Sequence, residues 1–162
     1  MNVLIIEDEA PAAHWLMGLL LKYNARIQVL ETLGSVEDSV QWFLNNPAPD
    51  LVLMDIHLSD GISFRIFDRV QVDSPIIFTT AHQQYALQAF RVNSIDYLLK
   101  PVSFGSLAKA MQKWQSWTTH PHFALADRHT VSGSVHKLSV PYKTRFLVRY
   151  GDHIQYKPTA EI

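Results

Sequence analysis

Glu7, Asp8, Asp55, Thr80 and Lys100 are far apart in the chain but share one local setting. Glu7 and Asp8 follow the apolar run 3–6, Asp55 follows 51–54, Thr80 closes the run that opens at Pro75, and Lys100 follows 95–99. Carboxylates brought together repel one another, so such a cluster either raises its pKa values or holds a cation. Oxygen-only donors, with no His or Cys side chain among them, favour Mg²⁺, which keeps several waters and readily takes a phosphate oxygen. An ammonium and a hydroxyl facing that cation suit a phosphoryl group: Lys100 neutralises its oxygens and Thr80 donates a hydrogen bond. A carboxylate nucleophile, Asp55, completes a site able to form an acyl phosphate. Either Asp alone reads equally well as a strand-end cap; it is the joint pattern that points to chemistry.

These residues can meet only if the runs are strands of one sheet. Between them lie helix-period segments. Ala13, Leu16, Met17, Leu20 and Leu21 are spaced as one amphipathic face, as are Val36, Val40, Phe43 and Leu44 behind a Ser35 N-cap. Asn46-Pro47 stops the second helix. Residues 26–33 suit an edge strand, 59–61 a turn, 63–70 a short helix and 85–92 another. Ser103 caps a last helix with the stripe Phe104, Leu107, Met111 and Trp114; that stripe reads as core, with Trp117 outside it. Alternating strands and helices predict a parallel sheet covered on both faces, which is why its strands are solidly apolar. In such a sheet the strand carboxyl ends share one edge, and ligands bind there.

Composition narrows the classes. The chain has 162 residues, 48% hydrophobic and 18% charged, enough for one domain with an appendage. Its net charge of −1 gives no overall pull toward nucleic acid or membrane. With no cysteine there is no disulfide, thiol nucleophile or Cys-bound zinc, and a cytoplasmic location is the simple expectation. No apolar stretch is long enough to span a bilayer, and the first residues do not read as a signal peptide. There is no P-loop and no dinucleotide fingerprint. Asp55-Ile56-His57 lacks the second carboxylate that a haloacid-type phosphatase needs.

The residues in these runs resemble those of the response-regulator receiver family. VLIIEDE is similar to its acidic-pair strand, LVLMDIHLSDG to its phosphoacceptor strand and turn, PIIFTTAH to its hydroxyl strand, and DYLLKP to its aromatic–Lys–Pro segment. The likeness covers residues 1–118, in order and in register. It implies an α/β, flavodoxin-like fold, a doubly wound five-stranded parallel sheet in the order 2-1-3-4-5. It implies that Asp55 is the phosphorylation site. Asp8, Asp55 and the backbone carbonyl of His57 would hold Mg²⁺, with Glu7 acting through water. Lys100 would pair with the phosphoryl group, Thr80 and Tyr97 would form a switch pair, and the bond before Pro101 would be cis. Glu7 stands where the family more often has Asp. The implied partners are a sensor histidine kinase and, on activation, a second copy of the chain, meeting through segments 85–92, 95–99 and 103–117. The domain would be a phosphoacceptor with self-catalysed phosphotransfer and dephosphorylation, not a classical enzyme.

His57 and His82 lie two residues after Asp55 and Thr80. They read either as exposed loop histidines or as groups that tune access of water to phospho-Asp55 and add a pH dependence in the imidazole range. His120, His122, His129 and His136 fall in a polar stretch, 119–140, that reads as a linker of solvated residues. Beyond it Phe146, Val148 and Tyr150, then Gly151-Asp152, then Ile154 and Tyr156 predict a β-hairpin with a type II′ turn. Two strands alone are marginal in water. Residues 141–162 resemble the start of a LytTR-type DNA-binding domain; DNA would be reached only through its missing remainder. Two other classes stay open: a receiver-like module acting by contact alone, and a small phosphoester hydrolase.

Overall fold

The computed structural model describes residues 1–89, 92, 94–119, 145–150 and 153–158. The chain forms two compact units, Met1–Ala126 and Asp127–Ile162. The first is built on five parallel strands, β1 (Asn2–Ile6), β2 (Gln28–Leu33), β3 (Leu51–Asp55), β6 (Ile76–Thr80) and β7 (Ser94–Leu99). Their order is β2-β1-β3-β6-β7, which is 2-1-3-4-5 counted over these strands alone. The strand order reverses at β1, so β1 and β3 share a central position.

Alternation along the strands sorts the side chains onto two faces. Val3, Ile5, Leu51, Leu53 and Ile77 pack under α1 (Ala10–Tyr23) and α4 (Phe104–Thr119). Leu4, Ile6, Val52, Met54, Ile76 and Phe78 pack under α2 (Val36–Asn45) and the 3₁₀ turn Ser63–Ile66. Because both faces are covered, β1, β3 and β6 are buried nearly throughout. The pairing Ile6↔Met54 and Met54↔Phe78 brings these strands to their carboxyl ends at one level.

The helices differ from the expected stripes in detail. In α1, Leu19 is buried and Leu21 is 44% exposed. Leu21 lies five positions past Leu16 and so turns off the face that Leu16, Leu19 and Leu20 share. In α2, Trp42 is buried and Leu44 is 60% exposed. Ser35 does cap α2, accepting from the Asp38 amide at 3.0 Å. Segment 63–70 is not an α-helix: only Ser63–Ile66 is helical, and it is 3₁₀. In that geometry i and i+3 align, so Ser63 and Ile66 are both buried while Phe64 and Phe67 lie 5.2 and 6.4 Å from the Phe78 ring. The expected helix 85–92 begins in a 3₁₀ turn, Gln83–Tyr85, and continues as a short helix, α3 (Ala86–Ala89).

Between β3 and that 3₁₀ turn is a minimal antiparallel hairpin, β4 (His57–Leu58) with β5 (Gly61–Ile62), turning at Ser59-Asp60. The second unit contains β8 (Arg145–Tyr150) antiparallel to β9 (His153–Pro158), with Tyr150 opposite His153. The two strands are those of the predicted hairpin, but the register sets Ile154 and Tyr156 opposite Arg149 and Leu147, not opposite Phe146, Val148 and Tyr150. Gly151-Asp152 with its turn type, residues 120–140 of the expected linker, and their histidines lie outside the described residues.

Candidate functional site

The carboxyl ends of β1, β3, β6 and β7 form the rim of the sheet. Glu7 continues β1, and its amide donates to the Leu33 carbonyl at 2.7 Å. Asp55 is the last residue of β3, opposite Thr79. Thr80 ends β6, and its carbonyl accepts from the Lys100 amide at 2.8 Å. The residues set apart in sequence are therefore placed together by strand pairing alone.

One carboxylate oxygen from each of Glu7, Asp8 and Asp55 lies within 4.8 Å of the others. Glu7 is 2% and Asp55 5% exposed, while Asp8 is open to solvent. The Lys100 ammonium reaches over this cluster. It donates to Glu7 Oε1 at 2.8 Å, sits 2.7 Å from Oε2, and makes a short contact with Asp55 Oδ2. Glu7 Oε2 itself has no directed hydrogen bond. Asp55 Oδ1 accepts from the His57 amide at 3.2 Å. The Lys100–Pro101 peptide is cis.

Charge and burial pull against each other here. Burial pushes the Glu7 carboxyl above its ordinary value, and the charge of Asp55 adds to this, against the hydrogen bond from Lys100. Burial alone would lower Lys100, but its bonds to Asp55 and Glu7 outweigh that and hold the ammonium above its ordinary value. The cluster is thus under-neutralised: one ammonium faces several carboxylates. Three carboxylate oxygens within reach of one another, all hard ligands and with one ammonium among them, fit a small divalent cation.

Thr80 is fully buried, and its hydroxyl accepts from the His82 amide at 3.2 Å. Tyr97 pairs with Phe78 across β6–β7, and its hydroxyl donates to the His82 carbonyl in a short contact. Burial raises the phenol above its ordinary value, with the Thr80 hydroxyl opposing. Thr80 and Tyr97 therefore both hold the same residue of the β6–α3 loop.

The rim encloses a cleft of about 240 Å³ lined by Asp8, Asp55, His57, Leu58, His82 and Lys100, with Glu9 and Ala81. His57 and His82 meet edge to face at 5.0 Å. Tyr85, which the sequence reading passed over, lies 5.2 Å from the His57 ring, and its hydroxyl is 3.3 Å from His57 Nε2. The one signal for Tyr85 was its type, an aromatic with a polar end, five residues after Thr80.

Comparison with known proteins agrees with this geometry. The model of the response regulator receiver domain matches residues 3–112. The chain is 29% identical, over 96% of its length, to the sensory transduction protein LytT of Bacillus cereus, of which it spans 65%. It is 37% identical, over 70% of its length, to the positive alginate biosynthesis regulatory protein of Pseudomonas aeruginosa, of which it spans 46%. Its fold matches the crystal structure of the response regulatory domain of mrkE from Klebsiella pneumoniae with a TM-score of 0.64 and 26% identity, covering 74% of this chain and 100% of that one. Among the described residues no helix is long and apolar enough to cross a membrane. By fold, by rim and by these relatives, the chain belongs to the response regulator receiver family.

Proposed function

We propose that this chain is a phosphorelay switch in which Asp55 accepts a phosphoryl group from a phosphohistidine of a sensor kinase. The observation that carries the reading is the Lys100 ammonium bridging Glu7 and Asp55 inside the acidic cleft. An Asp55 oxygen attacks phosphorus, the P–N bond breaks, and its electron pair leaves with the imidazole. Mg²⁺, when bound, neutralises phosphoryl oxygens. Asp8, Asp55 and the His57 carbonyl would hold it, with Glu7 through water. Lys100 pairs with the phosphoryl oxygens, and Thr80 turns its hydroxyl toward them as a donor.

The energetics suffice in order of magnitude. Phosphorylation adds roughly −1.5 to −2 charge. New hydrogen bonds to charge from Thr80 and Lys100, at roughly 1.5–3 kcal/mol each, give about 3–6 kcal/mol. Inverting a population from 1:99 to 99:1 takes about 5.5 kcal/mol. Withdrawing Thr80 loosens the loop that it shares with Tyr97, and the Tyr97 ring follows inward. The face of α3, β7 and α4, where Asp96 and Lys113 pair at 2.7 Å, then changes and joins a second copy. His57 and His82 flank the approach of water to phospho-Asp55 and tune its lifetime.

Residues 1–118 form the receiver, 119–140 a linker, and 141–162 the opening of a LytTR-type DNA-binding domain. The whole protein would act in the cytoplasm as a transcriptional regulator, reaching DNA through that domain. Two experiments test the switch. Acetyl phosphate labels the wild-type chain and leaves Asp55→Ala unlabelled; label on Asp55→Ala refutes the site. Beryllofluoride with Mg²⁺ raises the sedimentation coefficient; no change removes dimerisation from the account.

A further inference from the structure

The loop after Asp55 buries Leu58 in the core and closes where the Ser63 amide meets the Ile56 carbonyl at 2.8 Å, but it pairs little with itself. Its hairpin has two paired positions, His57↔Ile62 and Leu58↔Gly61, and even full-length two-stranded hairpins are marginal in water. It is held from outside by two adjacent residues. The Ser59 hydroxyl donates to the Gly34 carbonyl at 2.8 Å, and its amide donates to the same oxygen at 3.3 Å. The Asp60 carboxylate accepts from the Val36 amide at 2.7 Å and from the Glu37 amide at 3.1 Å.

These bonds complete a helix end. The first amides of an α-helix have no partner within it. In α2 the amides of Asp38 and Ser39 go to the Ser35 hydroxyl and carbonyl. Those of Val36 and Glu37 are taken by Asp60, from 24 and 23 residues away. An anionic cap at a helix N-terminus is favoured by charge as well as by bonding. Asp60 is therefore fastened to a rigid element.

That element also backs the other side of the cleft. A Cβ on Gly34 would lie 3.4 Å from Asp8 Cα and 3.6 Å from Asp8 Cβ, so the turn at Gly34 packs against Asp8 itself. The Glu7 amide is bound one residue earlier, at Leu33. One turn thus touches the acidic pair on one side and anchors the His57 loop on the other.

We infer that Ser59 and Asp60 are positioning residues that set the separation between Asp8 and the His57 carbonyl, and through it the affinity for the divalent cation. The inference rests on the Mg²⁺ reading above, in which those two groups share the ion. Neither residue touches the ion; each acts through Gly34, Val36 and Glu37.

The test is Mg²⁺ titration of the full chain, followed by the amide NMR shifts of Asp8 and His57. Asp60→Ala weakens Mg²⁺ by about tenfold, the lower end for partners outside the ligand set. Ser59→Ala, which loses one hydroxyl and no cap, weakens it by roughly threefold, in line with one modest hydrogen bond. At saturating Mg²⁺ both variants take label from acetyl phosphate at the wild-type rate, so affinity moves and turnover does not. Arg69→Ala, which removes the 2.6 Å contact to Glu37 on the same helix, leaves Mg²⁺ affinity unchanged. In the metal-free chain, the Val36 and Glu37 amides exchange faster in Asp60→Ala. Ser59→Ala serves alone if Asp60→Ala melts. Wild-type affinity in a folded Ser59→Ala and Asp60→Ala overturns the inference and leaves the switch intact. Equal loss in Arg69→Ala overturns it as well, since a loosened helix would then be the cause. A wild-type chain that binds no Mg²⁺ overturns both readings.

Discussion

The two flanks of the cleft are built differently. On the β1–β7 side, Lys100 binds Glu7 and Asp55 through charge, in a partly buried cluster whose neutralisation is incomplete. On the β3-loop side, Ser59 and Asp60 bind backbone groups of Gly34, Val36 and Glu37 through directed hydrogen bonds. A flank held by unbalanced charge rearranges when charge arrives. A flank fastened by directed hydrogen bonds to a helix end stays where it is. Under the proposed switch, the difference singles out which side should move and which should serve as its fixed reference.

The largest effect tests the charged flank. Lys100→Met leaves the Glu7 and Asp55 carboxylates facing each other without a cation. Breaking one side of a buried pair typically costs 3–5 kcal/mol. Here the Lys100 side chain is 20% exposed, so the expected loss is smaller, roughly 2–3 kcal/mol in metal-free urea unfolding. Millimolar Mg²⁺ recovers part of it. Unfolding midpoints identical to wild type, with and without Mg²⁺, would remove charge from the account of this flank.

A smaller effect tests whether that flank moves. Thr80→Ala deletes a hydroxyl that is fully buried and engaged with the His82 amide. One hydrogen bond to the phosphoryl group is then lost, about 1.5–3 kcal/mol, so the switched population under beryllofluoride drops at least about tenfold relative to the unswitched one. The Tyr97 ring resonances report it directly. If they shift in Thr80→Ala as far as in the wild-type chain, Thr80 is not what carries the signal to Tyr97.

The two flanks also differ in how much of them the sequence revealed. Glu7, Asp8, Asp55, Thr80 and Lys100 were legible because each ends a solidly apolar strand, and parallel pairing forces strand ends to one rim. The order of the sheet came with the receiver resemblance, and strand alternation then assigned both faces of the core. The other flank was largely silent. Ser59-Asp60 could be read only as a turn, because their partners lie 23 to 25 residues away and no local spacing encodes a cap supplied from another element. The same holds for Tyr85 over His57. Segment 63–70, expected as a short helix, is helical only over Ser63–Ile66 and there as a 3₁₀ turn, with the Phe64 and Phe67 rings beside Phe78. Leu21 and Leu44 show that helix phase at the ends of a stripe is settled by the sheet beneath, not by hydrophobicity.

The smallest effect concerns pH and sharpens the contrast from the uncharged-partner side. Burial raises Asp60, but the amides of Val36, Glu37 and Asp60 itself, with Arg65 nearby, outweigh it, and the carboxyl titrates below its ordinary 3.8. Glu37, which faces Asp60 and binds Arg69 and Gln41, is likewise held below its ordinary 4.5. A depressed carboxyl means that the unfolded chain binds more protons, so stability is gained as pH rises. The contribution of Asp60 is complete above 3.8 and disappears as pH falls through its lower folded value. Glu7, raised by burial, tilts the curve the opposite way above 4.5, so the wild-type profile alone mixes the two flanks. The difference between wild type and Asp60→Asn separates them. It should be flat from neutral pH down to about pH 5 and shrink only below 3.8. The Asp60 side chain is open to solvent, so the change is small and weakens with added salt. A difference that instead changes above 4.5, on the side to which burial raises Glu7, would mean that Asp60 is coupled to Glu7 through the turn at Gly34, and that the fixed flank moves with the charged one.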